Sequence, residues 1–222
     1  MKTHSISYRS TVTKKSSHHG TSPADHAYHS AEKRHGKSHQ IHLLPGDYVI
    51  SNEDIIISTV LGSCISVCFY SDNSPFCGMN HFMLPESMTA KPADSIMHSD
   101  AAFYGINAME VVINALLKNG INKGELRVKV FGGGNVIPVT TNKKTVGEQN
   151  IEFVFEFLKL ENIPITACDV GGDFARKILF HTKTKEVFMS HLGHTNDTKI
   201  ISEEERLRNK NIHMDRISLF SK

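Results

Sequence analysis

Residues 54–84 read DIIISTVLGSCISVCFYSDNSPFCGMNHFML, and the pattern inside that stretch decides the fold. β-Branched and aromatic residues gather in three runs, Asp54–Thr59, Ile65–Tyr70 and Phe76–Leu84, each predicted to be a strand. The second and third are joined across Ser71-Asp72-Asn73-Ser74, a turn composition that predicts an antiparallel hairpin. Between the first two runs sits Leu61-Gly62-Ser63-Cys64, where small residues allow a sharp turn and set a thiol at the mouth of a strand. The backbone around Gly62 and Ser63 can then aim N–H groups at a developing oxyanion.

The flanking sequence supplies the remaining elements. Asp47–Ser51 reads as a strand, and residues 86–98 read as a loop containing Pro, Ser and Met. Ala102, Ile106, Met109, Val112, Ile113, Leu116 and Leu117 fall on one face of a helix closed at Gly120. Leu126–Phe131 alternates as a strand and runs into Gly132-Gly133-Gly134. A second helix is expected from Thr145 to Glu161, with Val146, Ile151, Val154, Phe155 and Leu158 inward and Pro164 beyond its end. Ile165–Asp169, Arg176–Thr182 and Glu186–Ser190 read as closing strands, and Ser202 with Glu205 is a capping-box pattern for a short C-terminal helix. The sum predicts an α/β (α+β) layered sandwich: mixed, largely antiparallel sheets with two main helices on the outside. Gly132–Gly134 and Gly171-Gly172 both lack phosphate-loop spacing and read as tight turns or close backbone approaches.

Charge sets the expected boundaries. The chain of 222 residues has 25 Lys plus Arg against 23 Asp plus Glu, a net charge of +2 that gives no general argument for nucleic acid as the partner. Residues 1–42 carry seven basic and two acidic residues, eight of the 14 histidines and few aliphatics, and are read as a disordered basic tail. The irregular histidine spacing argues against a built metal site. Residues 43–200 are read as the folded domain and 201–222 as a charged helix and tail. No apolar run approaches the roughly 20 residues that cross a bilayer, and no secretory signal is seen, so a cytoplasmic protein is expected.

The cysteines carry the chemistry. Cys64, Cys68, Cys77 and Cys168 fit a reducing compartment without disulfides. Cys64 and Cys68 lie roughly 13 Å apart along a strand, too far for two ligands of one zinc ion, so neither metal nor cofactor is expected. Cys68, Cys77 and Cys168 read as buried small hydrophobes. If the hairpin folds about Asp72-Asn73, Cys64 falls directly opposite His81; a half-register shift sets it opposite Phe82 with His81 diagonal. A thiolate is the nucleophile, and a neighbouring imidazolium would lower the thiol pKa, protonate the leaving group and activate water. A third polar group orients such a base, and Ser58 or Thr59 can serve, although adjacent strand residues face opposite ways.

TVLGSCISVCFY followed by GMNHFMLP resembles the signature of the CheD family of chemoreceptor glutamine deamidases. LLPGDYVIS, AAFYGINAMEVVINALLKNG, VKVFGGGNV and VGEQNIEFVFEFLKLENIPITACDVGGDFARKILFHTKTKEV extend the resemblance over about residues 43–190. It implies hydrolysis of receptor glutamine amides to glutamate and ammonia, with glutamyl methyl esters as further substrates. It places Cys64 as nucleophile, His81 as its histidine, and Thr59, or Ser58, as the third member. It also implies a fold similar to the cytotoxic necrotizing factor toxins, methyl-accepting receptors as partners, and for some relatives a CheC-type phosphatase. Two other readings stay open: a thiol hydrolase of another amide, and a non-catalytic regulator that docks on receptors or the phosphatase.

Overall fold

A strand whose two faces are both apolar must be covered on both sides, and Ile65–Tyr70 is such a strand. The structure, a computed structural model, describes residues 40–84, 100–136 and 144–192, with backbone alone for 100–103. Among these residues the chain forms β1 (Gln40–His42), β2 (Tyr48–Ser51), β3 (Ile56–Leu61), β4 (Ile65–Tyr70), β5 (Cys77–Asn80), α1 (Asp100–Lys118), β6 (Arg127–Gly132), α2 (Val146–Leu160), β7 (Ile165–Val170), β8 (Ala175–His181) and β9 (Val187–Leu192). One sheet has the order β1-β3-β8-β9 and the other β2-β5-β4-β6-β7. The β1–β3 and β6–β7 pairs are parallel and the other five antiparallel, so the mixed, largely antiparallel α+β architecture is the observed one.

Side-chain parity explains the layering. Ile65, Val67 and Phe69 of β4, with Val128 and Val130 of β6, meet Met109, Val112 and Leu116 of α1 and Phe153, Val154 and Phe157 of α2. The other face of the same sheet packs Cys64, Cys68, Tyr70, Cys77 and Met79 against Ile57, Leu61, Ile178 and Phe180 of the four-stranded sheet. Both helices therefore lie on one side, over the five-stranded sheet, and the layers run helix, sheet, sheet. The outward face of the four-stranded sheet offers just a small cluster, Ile56 and Leu179 with Phe188 against them.

Four expectations need correction. Gln40–His42 pairs in parallel with Ile56–Ser58, so the folded part starts before the boundary placed after residue 42. That strand is too short for a periodic signal. Second, α2 begins as expected, with Thr145 as N-cap in a capping box with Glu148, but it is rotated. Its buried face is Gly147, Asn150, Phe153, Val154, Phe157 and Leu158, while Val146, Ile151 and Phe155 are half-buried. Third, Cys168 is half-buried rather than buried, because β7 is an edge strand.

The fourth concerns the hairpin register. Cys68 pairs with Met79, Phe69 with Gly78, Tyr70 with Cys77, and Ile65 bridges Phe82. Cys64 is therefore not opposite His81; the turn is centred one residue later, between Asn73 and Ser74. Pro75 has no N–H to give the ladder, and the loop instead closes on its own serines, with Asn73 N–H donating to Ser71 Oγ and Phe76 N–H to Ser74 Oγ. Residues 1–39, the loop at 86–98 and the Ser202–Glu205 capping box lie outside the described residues.

Candidate active site

The turn Gly62-Ser63-Cys64 is held from behind. Gly133 N–H donates to the Cys64 carbonyl at 2.8 Å, and Gly134 N–H to the Gly62 carbonyl at 2.7 Å. Gly132 has φ +117°, and a Cβ there would stand 2.0 Å from the Cys64 carbonyl oxygen, so glycine is required. The glycine run therefore acts as a close backbone approach that seats the turn. Arg176, opposite Leu61 in the β3–β8 ladder, ties both sheets together at this end. Its guanidinium, 0% exposed, pairs with Asp169 at 2.8 Å and donates to the carbonyls of Gly132, Asp169 and Gly171. Burial lowers its pKa and the Asp169 charge opposes that shift.

His81 follows β5 on the returning strand. Its N–H donates to the Asp47 carbonyl at 2.9 Å, and its carbonyl accepts from Gly46 N–H at 2.8 Å. Residues 43–47 thus cross from β1 to β2 and strap the histidine backbone to both sheets. By parity Cys64, His81 and Thr59 all face the layer between the sheets, with Cys64 and Met79 in one apolar cluster. A register displaced by two residues preserves the face, so His81 is a diagonal neighbour of Cys64. Cys64 is 1% and His81 2% exposed.

The two candidate hydroxyls separate cleanly. Thr59 Oγ1 lies 2.7 Å from His81 Nδ1 and donates to the Leu43 carbonyl at 2.8 Å. Ser58 points to the opposite side of β3, where its Oγ meets Gln40 Nε2, His42 Nδ1 and the Ile41 carbonyl. A carbonyl accepts and never donates, so the single Thr59 hydroxyl hydrogen is spent on Leu43. Its oxygen must then accept the Nδ1–H of His81, which fixes the tautomer. Nε2 is left as a lone-pair atom, and it is buried without a hydrogen-bond partner.

Burial pushes the His81 imidazole from 6.5 down to about 3, with the Leu43 carbonyl opposing and the His42 charge adding. The resting histidine is therefore neutral, not the imidazolium expected from sequence, because the sheets exclude the water that would solvate a cation. Burial likewise pushes the other thiols up: Cys68 strongly, Cys77 to about 11, and Cys168 by burial and then the Asp169 charge. Sequence reasoning missed Leu43, whose contribution is a backbone carbonyl, and Tyr104, which lies off the apolar stripe of α1. Burial, then the charges of Cys64 and Asp47, push the Tyr104 phenol up. The residue as a whole is 36% exposed.

Residues 83–191 match the family model described as CheD chemotactic sensory transduction. A Methylobacillus flagellatus protein named probable chemoreceptor glutamine deamidase CheD is 44% identical over 163 residues, covering 73% of this chain and 79% of that protein. A Shewanella oneidensis protein named probable chemoreceptor glutamine deamidase CheD 1 is 39% identical over 181 residues, covering 81% and 86%. Among solved structures, a Neisseria meningitidis protein of family DUF152 superposes with a TM-score of 0.42 at 9% identity, over 71% of this chain and 74% of that one. With relatives this similar across most of both sequences, the chain belongs to the CheD family.

Proposed function

We propose that this protein is a chemoreceptor glutamine deamidase in which Cys64 is the nucleophile, His81 the proton carrier and Thr59 the residue that holds His81 in its reactive tautomer. The relatives' names supply the reaction, and the observation that carries the residue assignment is the Leu43–Thr59–His81 chain, which leaves Nε2 buried without a hydrogen-bond partner on a histidine that shares its sheet face with Cys64. A neutral imidazole accepts the thiol proton as sulfur attacks the glutamine Cδ, which forms the C–S bond and moves the carbonyl electrons onto oxygen. The imidazolium returns that proton to the amide nitrogen, the C–N bond breaks, and ammonia leaves a thioester. Water gives a proton to Nε2 and its oxygen attacks the thioester; loss of sulfur and return of the proton regenerate the thiol. The balance is glutamine plus water to glutamate plus ammonia.

Oxyanion stabilisation is assigned to the turn itself. The carbonyls of Gly62 and Cys64 are tied back to Gly134 and Gly133, and in trans peptides N–H points opposite to C=O. The Ser63 N–H is thereby turned away from the glycine run, the orientation an oxyanion donor needs. We place the protein in the cytoplasm with the receptors' cytoplasmic regions as substrate; no helix of the described residues is long and apolar enough to cross a membrane. A CheC-type phosphatase belongs to this reading as a docking partner.

The test is mass spectrometry of purified receptor cytoplasmic fragments before and after incubation with the full chain. Amide-to-acid conversion at defined glutamines is expected, with none in Cys64→Ala. No converted glutamine with the wild-type protein, or equal conversion by the variant, refutes the proposal.

A further inference from the structure

Asn150 is a polar side chain with 0% exposure in the middle of the apolar face of α2, between Gly147 and Phe153. Its two amide atoms reach two different parts of the site. Nδ2 donates to the Ser63 carbonyl at 2.8 Å, and Oδ1 accepts the Leu84 N–H at 2.8 Å. The partners fix the amide orientation, since a carbonyl can only accept and a peptide N–H only donate. One side chain therefore joins the peptide that carries Cys64 to the strand that carries His81, from a helix remote in sequence. The strand is also keyed to α2 by Phe82, whose ring meets Phe153 edge-on at a centroid distance of 5.9 Å.

The Ser63 carbonyl belongs to the Ser63–Cys64 peptide. Fixing that carbonyl fixes the plane of the peptide, and with it the Cys64 N–H on the far side and the Cα–Cβ direction of the nucleophile. Resting on the deamidase reading above, we propose that Asn150 is a positioning residue: it sets the Ser63–Cys64 peptide plane and holds the thiol in register with the His81 strand. A helix Asn placed merely to fill space would not need both of its polar atoms matched to the two segments that bear the reacting groups.

Asn150→Asp separates this from a structural role, because it keeps the acceptor for Leu84 N–H and replaces the donor to Ser63 with a second oxygen. Ionised, that oxygen repels the Ser63 carbonyl; protonated, it can donate as the amide does. Burial raises the pKa of a carboxyl in this place, so protonation falls within an accessible range. With the full-length variant, folded by circular dichroism, kcat for receptor-fragment deamidation at pH 8 should fall about 100-fold with KM little changed. The variant-to-wild-type ratio of kcat should then climb at least about tenfold between pH 8 and pH 5.5.

Iodoacetamide labelling of Cys64 needs no receptor and tests Asn150 even if deamidation is not the activity. The variant-to-wild-type labelling ratio should depart from one at pH 8 and return towards one as the pH falls. A kcat ratio near one, a loss carried by KM alone, or ratios flat with pH would overturn the proposal. Should the aspartate variant fail to fold, Asn150→Ala serves: kcat must drop with KM retained, and an unchanged kcat overturns the proposal.

Discussion

Replacing His81 with glutamine should remove a specific part of the protein's acid sensitivity. The imidazole is fully buried and held down to about 3, against 6.5 when solvated. Unfolding therefore takes up a proton whenever the pH lies between these values, so this group's contribution is present above pH 6.5 and is lost as pH falls through the window towards 3. At pH 4.5 the unfolded state is almost wholly protonated and the folded state almost wholly neutral, which costs about 3 kcal/mol relative to neutral pH. Asp54 and Asp169, whose carboxyls are held low, are common to both proteins and cancel in the comparison. Urea unfolding of wild type and His81→Gln at pH 7.5 and 4.5 measures it: the wild type should lose about 3 kcal/mol more than the variant between the two pH values. Equal losses would mean that His81 titrates as a solvated histidine, and its burial between the sheets as the cause of a depressed pKa would be refuted. The same value predicts that the acid limb of kcat against pH is not centred near 6.5.

Cys64→Ala should abolish deamidation while unfolding within about 1 kcal/mol of wild type, since it removes one sulfur from a site next to a turn; residual activity above a few per cent by ammonia release would exclude Cys64 as nucleophile. Thr59→Val should lower kcat at least about tenfold by freeing the His81 tautomer, whereas Ser58→Ala should leave kcat unchanged and cost about 1 kcal/mol through its bonds to β1. Steady-state kinetics of the pair decide this, and a kcat loss in the Ser58 variant instead would reverse the assignment. Gly132→Ala places a Cβ 2.0 Å from the Cys64 carbonyl at φ +117°, so at least about 2 kcal/mol of stability should be lost, and thermal melts showing less would mean that the glycine run does not seat the turn.

What could be read from sequence, and what could not, follows from the kind of signal each feature leaves. Alternation has a period of two, so it assigns faces: counting alone sets Cys64 and Cys68 on one face of their strand and sends Ser58 and Thr59 to opposite sides of theirs, leaving open which of the two faces the site. Register depends on the turn, and Pro75 with the two serine-closed turns moved the pairing by two residues. A shift of two preserves the face, which is why His81 and Cys64 share a layer although they are not opposite one another. A shift of one would have separated them.

Polar groups inside an apolar pattern leave no such signal. Asn150 and Arg176 look like surface residues by type, yet both are 0% exposed: Asn150 satisfies the Ser63 carbonyl and the Leu84 N–H, and Arg176 the carbonyls of Gly132, Asp169 and Gly171. The same logic reaches the base. The proton on His81 is assigned by the Leu43 carbonyl acting through Thr59, and every residue has a carbonyl, so composition cannot mark this one. What singles it out is the crossing of residues 43–47 from one sheet to the other. That crossing delivers Leu43 to Thr59 and Gly46 and Asp47 to the His81 backbone in a single pass. Side-chain order in this site is thus imposed by chain connectivity between the sheets, and a perturbation of the 43–47 strap would reach the histidine before it reached the core.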